Sequence, residues 1–388
     1  MAPVLFALFF SLMLKHAFSD LDTGVKFQFR SSGGLFNHQR FKAKTLLRTE
    51  VIRDLLFADD AALVATSFEE AQVPLDRFSA ACKAFGLTIS IRKTEVVHQP
   101  HPTPKQVEGV KQNPPEYKFP ERKLKVDGHD INYVKSFPYL GSKVNQSGSL
   151  DDEIVNRISK ATSAFGNFRH RLWNERGIRL DTKILVYRAV VLSILLYGSE
   201  SWTPYRHYIN QLDVFHKSCL RSICGLSLRD RVSNAELFTK CKISGIESFL
   251  IQSQLRWAGH VLRMPDDRIP KIAMYSQLAA GKRNVGRPWL RYTDKLKSNL
   301  SAVNIPYGSL ESEVSDRKGW RSRCLEGLRK FQSESINQLK ENRERAKRLA
   351  VAPISTVVNP HSCSICGLVC KSLAGLKSHQ RQKHKLIL

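Results

Sequence analysis

The chain has 388 residues, with 61 Lys plus Arg against 35 Asp plus Glu and a formal net charge of +26. That length excludes a small stapled scaffold and accommodates two or three domains. A hydrophobic content of 42% also excludes a wholly disordered basic tail.

The charge is unevenly placed. Residues 1–100 hold 12 basic and 10 acidic residues, leaving 49 against 25 downstream. A field of this sign favours phosphate-bearing partners through counterion release. RNA or DNA is therefore the expected partner, bound with weak sequence selectivity. An anionic membrane is the weaker alternative, since no lipidation motif is present. Three of the eight cysteines (Cys363, Cys366 and Cys370) lie close together and the rest are scattered among apolar neighbours. This is the pattern of reduced intracellular thiols, and the basic charge favours the nucleus or cytoplasm.

Residues 1–14, MAPVLFALFFSLML, are apolar enough to imitate a secretory leader. They carry no basic residue before the apolar run and no small-residue cleavage site. The run is also shorter than the roughly 20 residues a bilayer span needs. A buried helix, in a protein that is not secreted, is the expectation. A polar, Gly-containing stretch follows over 19–50, and then RDLLFADDAALVAT at 53–66 places Asp59 and Asp60 where two β-prone runs would turn. Phe68 to Phe85 reads as an amphipathic helix, and GLTISIRKTEVV predicts a strand around Lys93. A Pro-rich connector over 99–122 marks a boundary.

In KLKVDGHDINYV, Asp127-Gly128 between alternating runs is a hairpin signal, and SFPYLGSKV predicts another strand. From Asp152 the period changes. Ile154, Ile158, Ala161, Phe165, Phe168 and Leu172 form an apolar stripe, while Arg157, Lys160, Arg169 and Arg171 fall off it as a basic outer face. Helices are expected at about 181–198, 207–224 and 246–263. GKRNVGRPWLRY at 281–292 interleaves basic residues, Arg287 among them, with Trp289 and Tyr292, as backbone tracking and base stacking require. A solvated loop packed by one Trp fits it equally well. Residues 311–350 read as a charged helical segment.

The strongest chemical signal closes the chain. Cys363, Cys366, His379 and His384 stand as C-x2-C-x12-H-x4-H, two thiolates from a knuckle and two imidazoles about one helical turn apart, which is the donor set of a tetrahedral structural zinc site. Cys370 sits at a core position of such a module, as a small hydrophobe outside the ligand set, and Leu376 at the other. The usual base-reading positions fall on Ser372, Gly375 and Ser378, none of which forms a bidentate pair with a base. Lys371, Lys377, Arg381 and Lys383 are left to touch phosphates.

An Asp-Asp turn alone carries little. In order along the chain, however, MAPVLFALFFSLML, LLFADDAALVA, FGLTISIRKTEVV, FPYLGSKV, the pair RISKATSAFGNFR and KILVYRAVVLSILLYGSESW, and LRWAGHVLRM with the Cys/His module resemble the reverse transcriptase polyprotein of non-LTR (LINE-type) retrotransposons. The resemblance implies an α+β architecture: a partial palm at 1–98, the connector, primer-grip-like strands at 123–145, a helical thumb-like region at 146–265, a basic connector and helix at 266–350, and a ββα zinc finger at 361–384. It implies catalytic-motif roles for Asp59, Asp60 and Lys93, with Mg bound only if the polymerase site were complete. Arg157, Lys160 and Arg169 would face primer and template. The family's other catalytic aspartate strand has no counterpart here. The expectation is therefore a truncated RNA-directed DNA polymerase remnant, inactive by itself, that binds zinc and nucleic acid. The alternative is a retained zinc-finger adaptor for nucleic acid or protein with no enzymatic role.

Overall fold

The computed structural model describes residues 2–43, 46–99, 120, 122–279, 290–351, 361–370 and 372–384. They divide into two compact units, Met1–Ser333 and Glu334–Leu388. The structure mixes helices with small separate sheets, as an α+β chain does. The first unit runs without a break through positions 145 and 265, where motif order suggests domain boundaries. Most of the Pro-rich connector lies outside the described residues.

The first helix, Ala2–Phe18, packs Phe10, Met13, Leu14, Ala17 and Phe18 against Ala81 and Cys82 of the helix Phe68–Ala84. Arg53 fastens its end by donating to the carbonyls of Phe18, the last helical residue, and of Leu21 in the turn that follows. The opposite face is not buried: Val4, Leu5, Leu8 and Leu12 are each 58% to 64% exposed. The expectation of a buried helix thus holds for one face only. Nearly every position in this segment is apolar, so hydropathy does not distinguish the packed face from the open one.

Two of the hairpins follow their turn chemistry. Asp127 and Gly128 both take positive φ, 52° and 81°, between Lys125–Val126 and His129–Asp130. Leu140 and Gly141, at 47° and 83°, do the same between Ser136–Tyr139 and Ser142–Asn145, so SFPYLGSKV makes two strands instead of one. The strand predicted around Lys93 begins later. Lys93 closes a turn by donating its N–H to the Ser90 carbonyl, and the strand Glu95–Val96 then pairs in parallel with Asn132–Tyr133.

The stretch 19–50 also holds more structure than its polarity suggests. Val25–Phe29 is the central strand of a three-stranded sheet, flanked by Arg48–Ile52 and by Ser276–Leu278. Phe29 and Leu35 enter a core shared with Leu255, Ala258, Leu296, Leu300, Trp320 and Cys324. Residues 266–333 are consequently built into the unit, through the helices Ile269–Tyr275, Tyr292–Ala302 and Leu310–Ser315 and the start of Arg317–Val351. They are not an irregular connector, although 280–289 lie outside the described residues.

The helices expected from Asp152 and at about 181–198, 207–224 and 246–263 appear as Asp151–Asn167, Leu180–Val186 continuing through a π-helical turn at Tyr187–Leu192, Arg206–Ile223 and Ile246–Leu262. Around them Tyr187 and His216 are wholly buried. The His216 Nε2–H donates to the Ser244 carbonyl at 3.0 Å, which leaves Nδ1 to accept from the Tyr187 hydroxyl at 2.8 Å.

Candidate metal centre and nucleic-acid interface

The carboxy-terminal module is assembled from a tight knuckle and one helix. Ser362 bridges Val369, and the Cys363 N–H donates to the Leu368 carbonyl at 2.8 Å. Gly367, at φ 70°, turns the chain so that its own N–H returns to the Cys363 carbonyl at 2.8 Å. A side chain would be strained at that φ, hence the glycine. The helix Leu373–His384 starts at Ser372, whose hydroxyl accepts the Gly375 N–H at 3.1 Å. Leu376 is buried beneath it.

This arrangement brings the four predicted ligands together, with one donor atom each from Cys363, Cys366, His379 and His384 lying within 4.8 Å of one another. Bonds of about 2.0–2.3 Å in a tetrahedral site give donor–donor edges of about 3.3–3.8 Å, so small rotamer adjustments suffice to close the set on an ion. Cys366 Sγ and His379 Nε2 are already 3.2 Å apart. His384 Nε2 is buried without a hydrogen-bond partner, as a nitrogen reserved for a metal would be. Burial would raise the Cys363 thiol, but the amides of Cys366 and Ile365 and the Cys366 side chain outweigh it and hold the thiol below its ordinary range. Thiolate is the form that ligates metals. Cys370 stays outside the quartet. The residues present fit a divalent ion, and the cluster could hold one.

The exposed side of the same helix carries Lys377, Arg381 and Lys383, and Lys371 lies outside the described residues. Ser372 is engaged as the helix cap.

In the first unit, Asp59 and Asp60 occupy the turn of the hairpin Asp54–Phe57 and Asp60–Leu63, opened by Ala58 at φ 52°. Both aspartates are exposed, and Phe57 beside them is 62% exposed. Tyr139 donates its hydroxyl to the Leu55 carbonyl at 3.2 Å, which seats the Ser136–Tyr139 hairpin beside the aspartate hairpin. Burial, and after it the Asp60 charge, push the Tyr139 phenol up. Two motifs about 80 residues apart are thereby neighbours. Among the described residues, no third carboxylate joins Asp59 and Asp60 in a metal-binding cluster, and no hydrogen bond or ion pair links them to the exposed Lys93.

The basic face assigned to Asp151–Asn167 is only partly there. Lys160 and Arg169 are exposed. Arg157 is not, at 4% exposure. Its Nε donates to Glu153 at 2.5 Å, its Nη2 donates to the Gly141 carbonyl, and its guanidinium lies 4.5 Å from the centroid of the Tyr197 ring. The carboxylate partner accepts in turn from the Lys143 N–H at 2.6 Å. Arg157 is thus a bolt between this helix and the Ser136–Asn145 hairpin, and it is absent from the exposed basic face. A helical-period count places it off the stripe but does not show the hairpin that covers it. Arg287 lies outside the described residues. Two side chains that the motifs did not single out matter here, Glu153 and Tyr197. The i,i+4 spacing of Glu153 and Arg157 is their one sequence signal.

The chain, with its mixed α and β fold and a Cys/His quartet able to hold a metal ion, is similar to two transposon-related proteins. It is 28% identical over 281 residues to an uncharacterized transposon-derived protein of Caenorhabditis elegans, covering 69% of this chain and 94% of that one. It is 25% identical over 170 residues to a retrovirus-related Pol polyprotein from the type-1 retrotransposable element R1 of Nasonia vitripennis, covering 39% of this chain and 44% of the polyprotein. The matched region thus spans less than half of that polyprotein. No protein-family model and no solved structure matches. No described helix is long and apolar enough to cross a membrane.

Proposed function

We infer that the chain is a remnant of a retrotransposon's RNA-directed DNA polymerase polyprotein, retaining zinc and nucleic-acid binding but no polymerase activity by itself. The observation that carries this reading is the quartet Cys363, Cys366, His379 and His384, whose donor atoms converge within 4.8 Å in a chain related to a retrotransposon Pol polyprotein. Two sulfurs and two imidazole nitrogens select zinc over magnesium or calcium, which take oxygen ligands. Zinc would hold the knuckle against the helix, and Lys377, Arg381 and Lys383 on the exposed side would meet phosphates. Without Arg, Asn or Gln at positions 372, 375 and 378, base readout is weak. Lys160 and Arg169 add phosphate contacts from the first unit, whose fold takes the roles of a partial palm, primer grip and thumb.

Inactivity is inferred from the aspartate hairpin. Two-metal phosphoryl transfer needs carboxylates that clamp both ions near the attacking and leaving oxygens, and Asp59 and Asp60 stand exposed with no third acidic ligand among the described residues. The test is made on the purified full-length chain. Expected are one zinc per chain by atomic absorption, RNA and DNA binding whose affinity falls steeply between low and physiological salt, and no Mg-dependent primer extension. Salt-independent affinity would refute the phosphate-contact reading. Primer extension that Asp59→Ala abolishes would refute inactivity.

A further inference from the structure

Cys224 and Cys241 are 17 positions apart, yet their sulfurs are 3.3 Å from each other. Each stands where a helix stops. Cys224 caps Arg206–Ile223 ahead of Gly225 at φ 64°, and Cys241 is the last residue of Asn234–Cys241 ahead of Lys242 at φ 49°. The segment between them is tied to the first helix by Arg221, which donates to the Val232 carbonyl and the Asn234 side chain at 3.1 and 2.8 Å. Ser233 and Glu236 form a capping box that fixes the start of the second helix. Two braced helix ends therefore hold the thiols face to face.

We propose that Cys224 and Cys241 are a reversible redox modification site, closed to an intramolecular disulfide by a hydroperoxide. A sulfur–sulfur bond of about 2.0 Å requires the pair to approach by about 1.3 Å, within reach of side-chain rotation. Cys224 is half-buried and accessible to a small oxidant, whereas Cys241 is 2% exposed and sits behind it. The hydrogen bond from Cys241, aided by the Lys240 and Lys183 ammonium groups, outweighs burial and brings the Cys224 thiol below its ordinary range. The same bond together with burial pushes Cys241 up. The buried Cys219 and Cys324 are pushed up to about 12 by their surroundings and stay protonated. The Cys224 thiolate attacks one peroxide oxygen: an S–O bond forms, the O–O bond breaks, and the leaving hydroxide or alkoxide takes up a proton. The Cys241 sulfur then attacks the Cys224 sulfur. The S–O bond breaks, and the departing hydroxide leaves as water with the proton lost from Cys241. Two thiols and one hydroperoxide give one disulfide and either two waters or one water and an alcohol, and a dithiol reverses the change.

The experiment treats the full-length, zinc-loaded chain with equimolar hydrogen peroxide, blocks free thiols in denaturant and maps cross-linked peptides by mass spectrometry without reduction. The expected result is a Cys224–Cys241 link, two hydrogens lighter than the free pair, cleaved by dithiothreitol and retained in Cys219→Ala. In Cys241→Ser the expected product is a Cys224 sulfenic acid trapped by dimedone. Peroxide that oxidises other cysteines while leaving this pair as thiols would overturn the proposal, as would Cys224 linked to any other residue. Because the mapping is done on the unmutated chain, a variant that fails to fold leaves the outcome readable.

Discussion

Replacing Arg157 with Ala separates a structural role from a nucleic-acid-binding one. The guanidinium is 5% exposed and the Glu153 carboxylate 2%, so the substitution leaves a buried carboxylate with the Lys143 N–H as its remaining partner in this cluster. Breaking a buried pair by removing one partner costs about 3–5 kcal/mol. The bond to the Gly141 carbonyl goes with it, an acceptor whose desolvation is worth about 1–3 kcal/mol and overlaps the first figure. Taking about 4 kcal/mol and an m-value of about 3 kcal/mol/M, the urea midpoint of the first unit falls by about 1.3 M. Replacing both partners, Glu153→Leu with Arg157→Met, recovers part of the loss, because no unpaired charge is then buried. Lys160→Ala, by contrast, leaves the stability within about 0.5 kcal/mol of the unsubstituted chain and flattens the salt dependence of RNA binding by about one phosphate contact. An Arg157→Ala protein with an unchanged midpoint and a flattened salt slope would refute this placement of Arg157.

Further predictions follow from buried groups and from the metal quartet. His216, pushed down to about 4 mainly by burial, takes up a proton near its ordinary 6.5 when unfolded but resists it when native. Stability therefore falls as pH drops from about 6.5 towards 4, by up to about 3 kcal/mol, and chemical denaturation across that range should show a slope that His216→Phe flattens. Gly259 lies against Trp320, whose Nε1 donates to the Leu255 carbonyl at 3.3 Å. A Cβ there would collide with the indole, so Gly259→Ala should cost about 1–3 kcal/mol or more by thermal unfolding. Chelation, or Cys363→Ser, should strip hydrogen-exchange protection from the helix Leu373–His384 while leaving Ile246–Leu262 protected, since metal binding supplies the folding energy of such a module. Ser372→Ala removes the cap on Gly375 and should weaken that helix by about 1 kcal/mol, read as faster exchange at its first turn.

Local chemistry was legible wherever it was written in neighbouring residues. The Asp127-Gly128 turn, the helices Phe68–Ala84 and Ile246–Leu262, and the spacing of Cys363, Cys366, His379 and His384 all depend on chain geometry over one or two turns. The helix Asn234–Cys241 was available in the same way through Ser233 and Glu236, a capping-box pair.

What could not be read linearly depended on partners far along the chain. Strand Ser276–Leu278 finds its place only against Val25–Phe29, some 250 residues earlier. The open face of Ala2–Phe18, the burial of Arg157 under a hairpin and the meeting of Cys224 with Cys241 are likewise set by which surface each neighbour covers. Residue types and periods specify which side chains seek burial or a ligand. They do not specify which of several equally apolar or equally charged positions a distant element will reach, because that choice is made by packing across the whole unit. The donor set for a metal was therefore written in the carboxy-terminal residues themselves, whereas the separation of surface arginines from structural ones came from the folded core.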